Sequence, residues 1–127
     1  MIRLNGYLMF WVSLISILGL VSCQSGNYTQ SKTVIESREV NLSAEIYKPV
    51  GQGPFPAVVM VHGSKNHTKD FYTEYSRYFS NNGIVAANYD KRGQGKSAGD
   101  LWTATFEDLA LDVESVVNHQ NPSGFKT

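Results

Sequence analysis

Ala57-Val-Val-Met-Val-His-Gly-Ser64 runs five apolar side chains together without alternation and then stops at a turn. A strand with one wet face alternates, so an unbroken run fits a strand buried on both faces of a largely parallel sheet. Residues 84–88, Ile-Val-Ala-Ala-Asn, repeat that pattern and deliver a second turn, Asp90-Lys-Arg-Gly-Gln-Gly-Lys-Ser97. The turns matter because ligands of such sheets bind beyond the strands' carboxyl ends.

Between the two runs, Asp70 is placed to cap a helix over residues 71–82. Its apolar face would be Phe71, Tyr75 and Phe79 with Tyr72 and Tyr78 alongside, and Gly83 would supply the left-handed stop. Beyond the second turn, Thr105-Phe-Glu-Asp108 has the form of an acidic capping box. It predicts a helix with Phe106, Leu109, Ala110, Val113, Val116 and Val117 on its buried face, closed by Pro122 and Gly124. Upstream, residues 33–37 and 41–47 read as an antiparallel strand pair, with Leu42, Ala44 and Ile46 inward. Three prolines and two glycines in residues 48–56 leave the connection from Pro49 to Pro56 no regular structure to adopt. The order of hairpin, strand, helix, strand, helix predicts an α/β sheet with helical crossovers.

The leading residues have a different character. In residues 1–22 Arg3 is the only charge, residues 8–21 form an apolar run too short to span a bilayer comfortably, and Leu20-Val-Ser22 sets a small residue before Cys23. This segment resembles a bacterial lipoprotein signal peptide. The resemblance implies cleavage before Cys23 and diacylation of its sulfur, so that the partner is membrane lipid and two or three acyl chains make the anchor stable. It also implies export to the cell envelope, and Gln24 in place of Asp implies the outer membrane where the organism has two. Cys23 is the only cysteine, which rules out an intramolecular disulfide, and acylation removes the lone thiol. Residues 23–32 are polar and read as a flexible tether, leaving 33–127 as the folded body.

The formal charge of the chain is zero, and no basic stripe or aromatic-basic pattern occurs. Nucleic acid is therefore not expected as a partner. His67 and His119 have no partner cluster, so neither a metal nor any other cofactor is expected.

With the elements placed, residues 33–120 resemble the N-terminal part of an α/β-hydrolase fold, nearest to its serine-aminopeptidase-like and esterase- or thioesterase-like branch. The residues that carry the resemblance are His62-Gly-Ser64 after one strand and Asp90-Lys-Arg-Gly-Gln-Gly-Lys-Ser97 after the next. It implies a serine hydrolase acting on a small-molecule ester, thioester or peptide through an acyl-enzyme. By position, Gly63 and Ser64 belong to an oxyanion hole. The Ser64 N–H would face the charge of a tetrahedral intermediate, and Gly63 would leave the approach open. In the family the histidine at the position of His62 is structural, which speaks against a general base there. Where many relatives continue with Gly-Pro, this chain has Lys65-Asn66-His67.

Three other patterns overlap the second turn. Gly95-Lys-Ser-Ala-Gly99 satisfies G-x-S-x-G and offers Ser97 as a nucleophile, but that elbow joins a strand directly to a helix, and here eight residues precede the serine and no helix follows. Gly93-Gln-Gly-Lys-Ser-Ala98 fits a dinucleotide fingerprint without the helix that would bind the pyrophosphate. Gly95-Lys-Ser97 lacks the glycine a P-loop needs at the position of Asp90. The reading that remains is a structural turn of His62, Asp90, Arg92, Gly93, Gly95 and Ser97, in which Asp90 and Arg92 pair with each other and the glycines supply special backbone angles.

The family's nucleophile strand and the rest of its triad are expected beyond Thr127, so the chain is expected to be inert alone. The truncation should leave the strand over residues 57–61 as an open apolar edge and the domain marginally stable. The alternative is a non-enzymatic, lipid-anchored binding or interaction module built on the same half-fold.

Overall fold

The computed structural model describes residues 26–63 and 66–120. They form one four-stranded sheet in the order β1-β2-β4-β3, from Tyr28–Ser37 (β1), Val40–Pro49 (β2), Ala57–Met60 (β3) and Val85–Tyr89 (β4). β1 and β2 are an antiparallel hairpin in which Ile35 faces Leu42, and Arg38 takes φ 54° at its turn. β4 runs antiparallel to β2, with Ala44 opposite Tyr89, and parallel to β3, with Val59 opposite Ala87. A 3-10 turn, Lys69–Tyr72, leads into α1 (Thr73–Asn81), and α2 spans Phe106–Gln120. The mixed sheet with helices on both faces is the α/β architecture the sequence predicts.

The two faces are built differently. Under α2 lies the apolar core of Ile35, Leu42, Ala44, Ala87, Tyr89 and Val116, with Ile46, Val59 and Val113 packed against it. Leu42 and Ala44 are buried on this face as predicted for β2, but Ile46 is only half-buried, and Glu45 and Tyr47, expected to point outward, are buried on the other face. Under α1 the layer is polar and thin. Ser76 donates to Asn88 Oδ1 at 2.6 Å, and Tyr47 OH donates to Glu45 Oε2 at 3.0 Å. Burial, followed by the Glu45 hydrogen bond, pushes the Tyr47 phenol up to about 12.

Several expectations change. β1 begins at Tyr28, so residues 28–32 belong to the sheet and not to a tether: Gln30 pairs with Tyr47 and Lys32 with Glu45. Asp70 caps no helix. The 3-10 turn begins after Thr68, and α1 opens after Tyr72 without a side-chain cap. α1 buries Ser76 and Ser80, while Phe71, Tyr75 and Tyr78 are exposed. Small hydroxyl side chains let the helix sit close to β4; the Tyr72 carbonyl, at 3.0 Å, is the alternative acceptor for the single Ser76 proton, and Ser80 donates to the Ser76 carbonyl at 2.7 Å. β3 is half-exposed rather than buried on both faces, because β4 is its only hydrogen-bonded neighbour among the described residues. The capping box forms as written: Asp108 N–H donates to Thr105 Oγ1 at 3.1 Å, and Thr105 N–H donates to Asp108 Oδ2 at 2.9 Å. The buried side of α2 nevertheless carries Asp112 with Val116, while Phe106 is 93% exposed and Ala110 faces out. Cys23, Pro122 and Gly124 lie outside the described residues.

Candidate functional site

The two turns singled out in the sequence lie side by side at the carboxyl ends of β3 and β4, and one hydrogen bond joins them. Lys91 N–H donates to His62 Nε2 at 3.2 Å, and His62 Nδ1 lies 3.1 Å from the Gly63 carbonyl. An accepting Nε2 leaves the proton on Nδ1, where it is donated to Gly63. Burial depresses the His62 pKa more than the Gly63 bond raises it, so the ring is neutral near pH 7. With both nitrogens engaged, His62 has no free lone pair for a substrate. Gly63 is exposed, and among the described residues a Cβ there would meet nothing within 4 Å, so they leave the space in front of this turn open. Ser64 and Lys65 lie outside the described residues.

Asp90 is fully buried at the centre of the second turn. Its carboxylate accepts the Lys69 N–H at 2.7 Å, the Lys69 Nζ at 2.8 Å and the Lys96 N–H at 3.0 Å. Burial alone would raise its pKa. The hydrogen bonds from Lys69 and Lys96, helped by the Lys69 charge, outweigh that and hold the carboxyl below its usual value. The pairing of Asp90 with Arg92 expected from sequence does not form. Arg92 instead grips Asp112 side-on, Nε to Oδ2 at 2.8 Å and Nη2 to Oδ1 at 2.7 Å, which fastens the turn to α2. The bond to Asp112 is the main reason the guanidinium pKa is raised. Lys69 lies in the 3-10 turn and Asp112 on α2, so Asp90 and Arg92 reach outward in different directions and anchor the turn at both sides.

Gly95 has φ 52°, and a Cβ there would collide with the Asp90 carboxylate. Gly93 has φ 70°, and its Cβ would fall 2.6 Å from the Leu101 nitrogen. Only glycine fits either position without rearrangement.

Ser97 has a mechanical role. Its hydroxyl donates to the Asp90 carbonyl and accepts the Ser43 N–H at 2.9 Å. Asp90 N–H bonds the Ser43 carbonyl and Ala98 N–H the Asn41 carbonyl, both at 2.9 Å. The turn thus completes the edge of β2 where β4 has ended, and Ser97 Oγ stands in for a strand amide and carbonyl. No imidazole is among its partners, and α2 starts nine residues later, so the geometry is not that of a nucleophile elbow.

Sequence reasoning missed Lys69 and Asp112. Asp112 had a readable signal, a carboxylate set between Leu109, Val113 and Val116 on an otherwise apolar stripe. Lys69 had none, since nothing local distinguishes it from a solvated lysine. Among the described residues no group of three or more His, Cys, Asp or Glu is arranged to hold a metal ion, and no helix is long and apolar enough to cross a membrane.

Comparison with known proteins bears on the same region. A family model described as serine aminopeptidase, S33, matches residues 52–125, more than half of the chain. Esterase FrsA of Salmonella newport (strain SL254) is 39% identical over 70 residues, covering 55% of this chain and 16% of the esterase. Among solved structures, the hypothetical protein PA2218 from Pseudomonas aeruginosa aligns with TM-score 0.63 and 23% identity, over 75% of this chain and 31% of that one. The α/β hydrolase GrgF from Penicillium sp. sh18 aligns with TM-score 0.62 and 23% identity, over 72% and 32%. The chain therefore spans about a sixth of the curated relative and about a third of the solved structures it matches.

Proposed function

The chain belongs to the serine aminopeptidase S33 family of α/β hydrolases, and from that membership we propose that it is the leading portion of a membrane-anchored serine hydrolase. The substrate would be an ester, thioester or peptide, opened through an acyl-enzyme. The observation that carries the reading is the His62–Lys91 bond, which sets the two family turns side by side at the carboxyl ends of adjacent parallel strands. There an oxyanion donor has a fixed frame. The Ser64 N–H would be that donor, and the open space in front of Gly63 would admit the acyl group. Fixed donors of this kind are worth about 3–4 kcal/mol of barrier.

The reaction also needs a nucleophile with a base in reach. Ser97 is held by Asp90 and Ser43, and the ring nitrogens of His62 are engaged, so the nucleophile, acid and base are assigned to sequence beyond Thr127. Cys23 would carry the acyl anchor, placing the hydrolase at the surface of the cell envelope.

The test is a fluorophosphonate probe read by mass spectrometry on this chain, on its Ser97→Ala variant and on the chain extended by its downstream coding sequence. The expected result is no adduct on the first two and one adduct beyond Thr127 on the third. An adduct at Ser97, lost in Ser97→Ala, overturns the assignment. Absence of any adduct on the extended chain favours a binding module.

A further inference from the structure

α1 turns Ser76 and Ser80 to the sheet, and its outer side continues a row of aromatic rings that begins in the 3-10 turn before it. Phe71, Tyr75 and Tyr78 are 57%, 59% and 66% exposed. Most of the rings are in contact: His67 lies tilted against Phe71 at 4.7 Å between centroids, and Phe71 meets Tyr72 edge-on at 5.0 Å, as Tyr72 meets Tyr75 at 5.9 Å. No lysine lies in Thr73–Asn81, and its one acid and one base, Glu74 and Arg77, pair with each other at 2.7 Å.

The chain also enters the fold against this helix. Asn27 N–H donates to Asn81 Oδ1, at the last residue of α1, at 3.1 Å, and the Asn27 carbonyl accepts the Val50 N–H at 2.8 Å. Asn27 is thus fixed both to the sheet and to the end of α1. Cys23 precedes it by four residues, so covalent reach alone keeps the two Cα atoms within about 14 Å. The lead between anchor and body is much shorter than the sequence suggests, because residues 28–32 are strand.

We propose that the outer face of α1 is a membrane-contact surface, with Phe71, Tyr75 and Tyr78 seated in the headgroup layer of the bilayer that holds Cys23. This rests on the acylation of Cys23 proposed above. An anchor that close to Asn81 leaves the body no room to stand away from the lipid, and it brings the carboxyl end of α1 to the surface first. Tyrosine has an apolar body and a polar tip, which suits the interface between headgroups and hydrocarbon. Neutral aromatic rings with a self-compensated charge pair fit a zwitterionic surface and need no anionic lipid. Trp102 and Phe106, 89% and 93% exposed, are the largest of the other exposed apolar side chains, but they lead into and open α2, on the opposite side of the sheet; Val50, 66% exposed, lies beside Asn27 and would meet the same lipid.

The experiment uses the full chain, processed by a lipoprotein-exporting host and reconstituted in phosphatidylcholine vesicles that contain a photoactivatable headgroup lipid. Intact mass reports acylation, and peptide mass spectrometry maps the cross-links. Adducts should be enriched several-fold in residues 71–82 over residues 102–120. Tyr75→Ser combined with Tyr78→Ser, both on the exposed face, should lower them several-fold with the circular dichroism unchanged. An acylated chain whose adducts concentrate in residues 102–120, or spread evenly, overturns the orientation alone. A chain whose mass shows no acyl group at Cys23 overturns the anchoring reading and this inference together.

Discussion

Replacing Lys69 with methionine should destabilise this domain severely. The Lys69 and Asp90 side chains are 7% and 1% exposed, and their charged ends are 2.8 Å apart. Methionine fills most of the lysine's volume, so the loss is electrostatic and not a cavity. Removing one partner of a buried ion pair costs about 3–5 kcal/mol, because the remaining charge stays desolvated. Asp90 would keep the Lys69 and Lys96 amides, which argues for the lower half of that range. A domain of this size holds about 5–15 kcal/mol in all, so the urea midpoint should fall by about a fifth or more. The effect should also depend on pH. In the native chain Asp90 has a lowered pKa, so its contribution is fully present above the unfolded value of about 3.9 and is lost as pH falls through the folded value. Without Lys69, burial is the strongest remaining influence and the folded pKa moves up. The variant therefore has less Asp90 stabilisation to lose on acidification, and the gap between the two proteins should narrow as pH falls. Urea melts of both proteins at pH 7.5, 6, 5 and 4 test this, with Asp90→Asn completing a double-mutant cycle. A loss under about 1 kcal/mol, or a gap that stays constant with pH, would refute the reasoning.

Three further outcomes follow from the same geometry. Gly95→Ala should cost about 2 kcal/mol or more, from its left-handed angle together with the collision with Asp90, whereas Gly63→Ala should stay within about 0.5 kcal/mol; paired thermal melts compare them. Ser97→Ala should lose about 1–3 kcal/mol, because the Ser43 N–H is left without a partner, and chemical denaturation measures it. His62 has a folded pKa below its unfolded one, so the stability it contributes is complete above about pH 6.5 and lost as pH falls through the folded value. His62→Gln should flatten that slope in urea melts between pH 7.5 and 5.

The sequence spoke clearly where local chemistry decides the outcome. Gly83 with φ 80° and the Thr105–Asp108 box each name their own structure and appear in place, and the apolar run of residues 57–61 yields the strand Ala57–Met60, though not its two-faced burial. It was misleading where a tertiary neighbour decides. The aromatic spacing of α1 reads as a buried stripe, yet the sheet beneath offers Asn88 and Tyr47, and serines suit that polar layer better than rings. Residues 28–32 look like a linker because Thr, Gln, Ser and Lys are polar. They become strand because β2 is long enough to pair with them along its whole length. Within the second turn the identity of the important residues was legible and their partners were not. Asp90 and Arg92 are close in sequence, but their bonds go to Lys69 and Asp112, which no spacing rule connects.

The order β1-β2-β4-β3 also fixes a schedule for synthesis. β1 and β2 can close as a hairpin as soon as both have left the ribosome. β3 emerges next and finds no place, since β2 will be occupied by a strand not yet made. Only when Val85–Tyr89 appear does β4 enter between them, bonding β2 on one side and β3 on the other. Until Val85–Tyr89 have emerged the chain therefore has a hairpin and an unpaired apolar segment, and once they have emerged it can close a sheet.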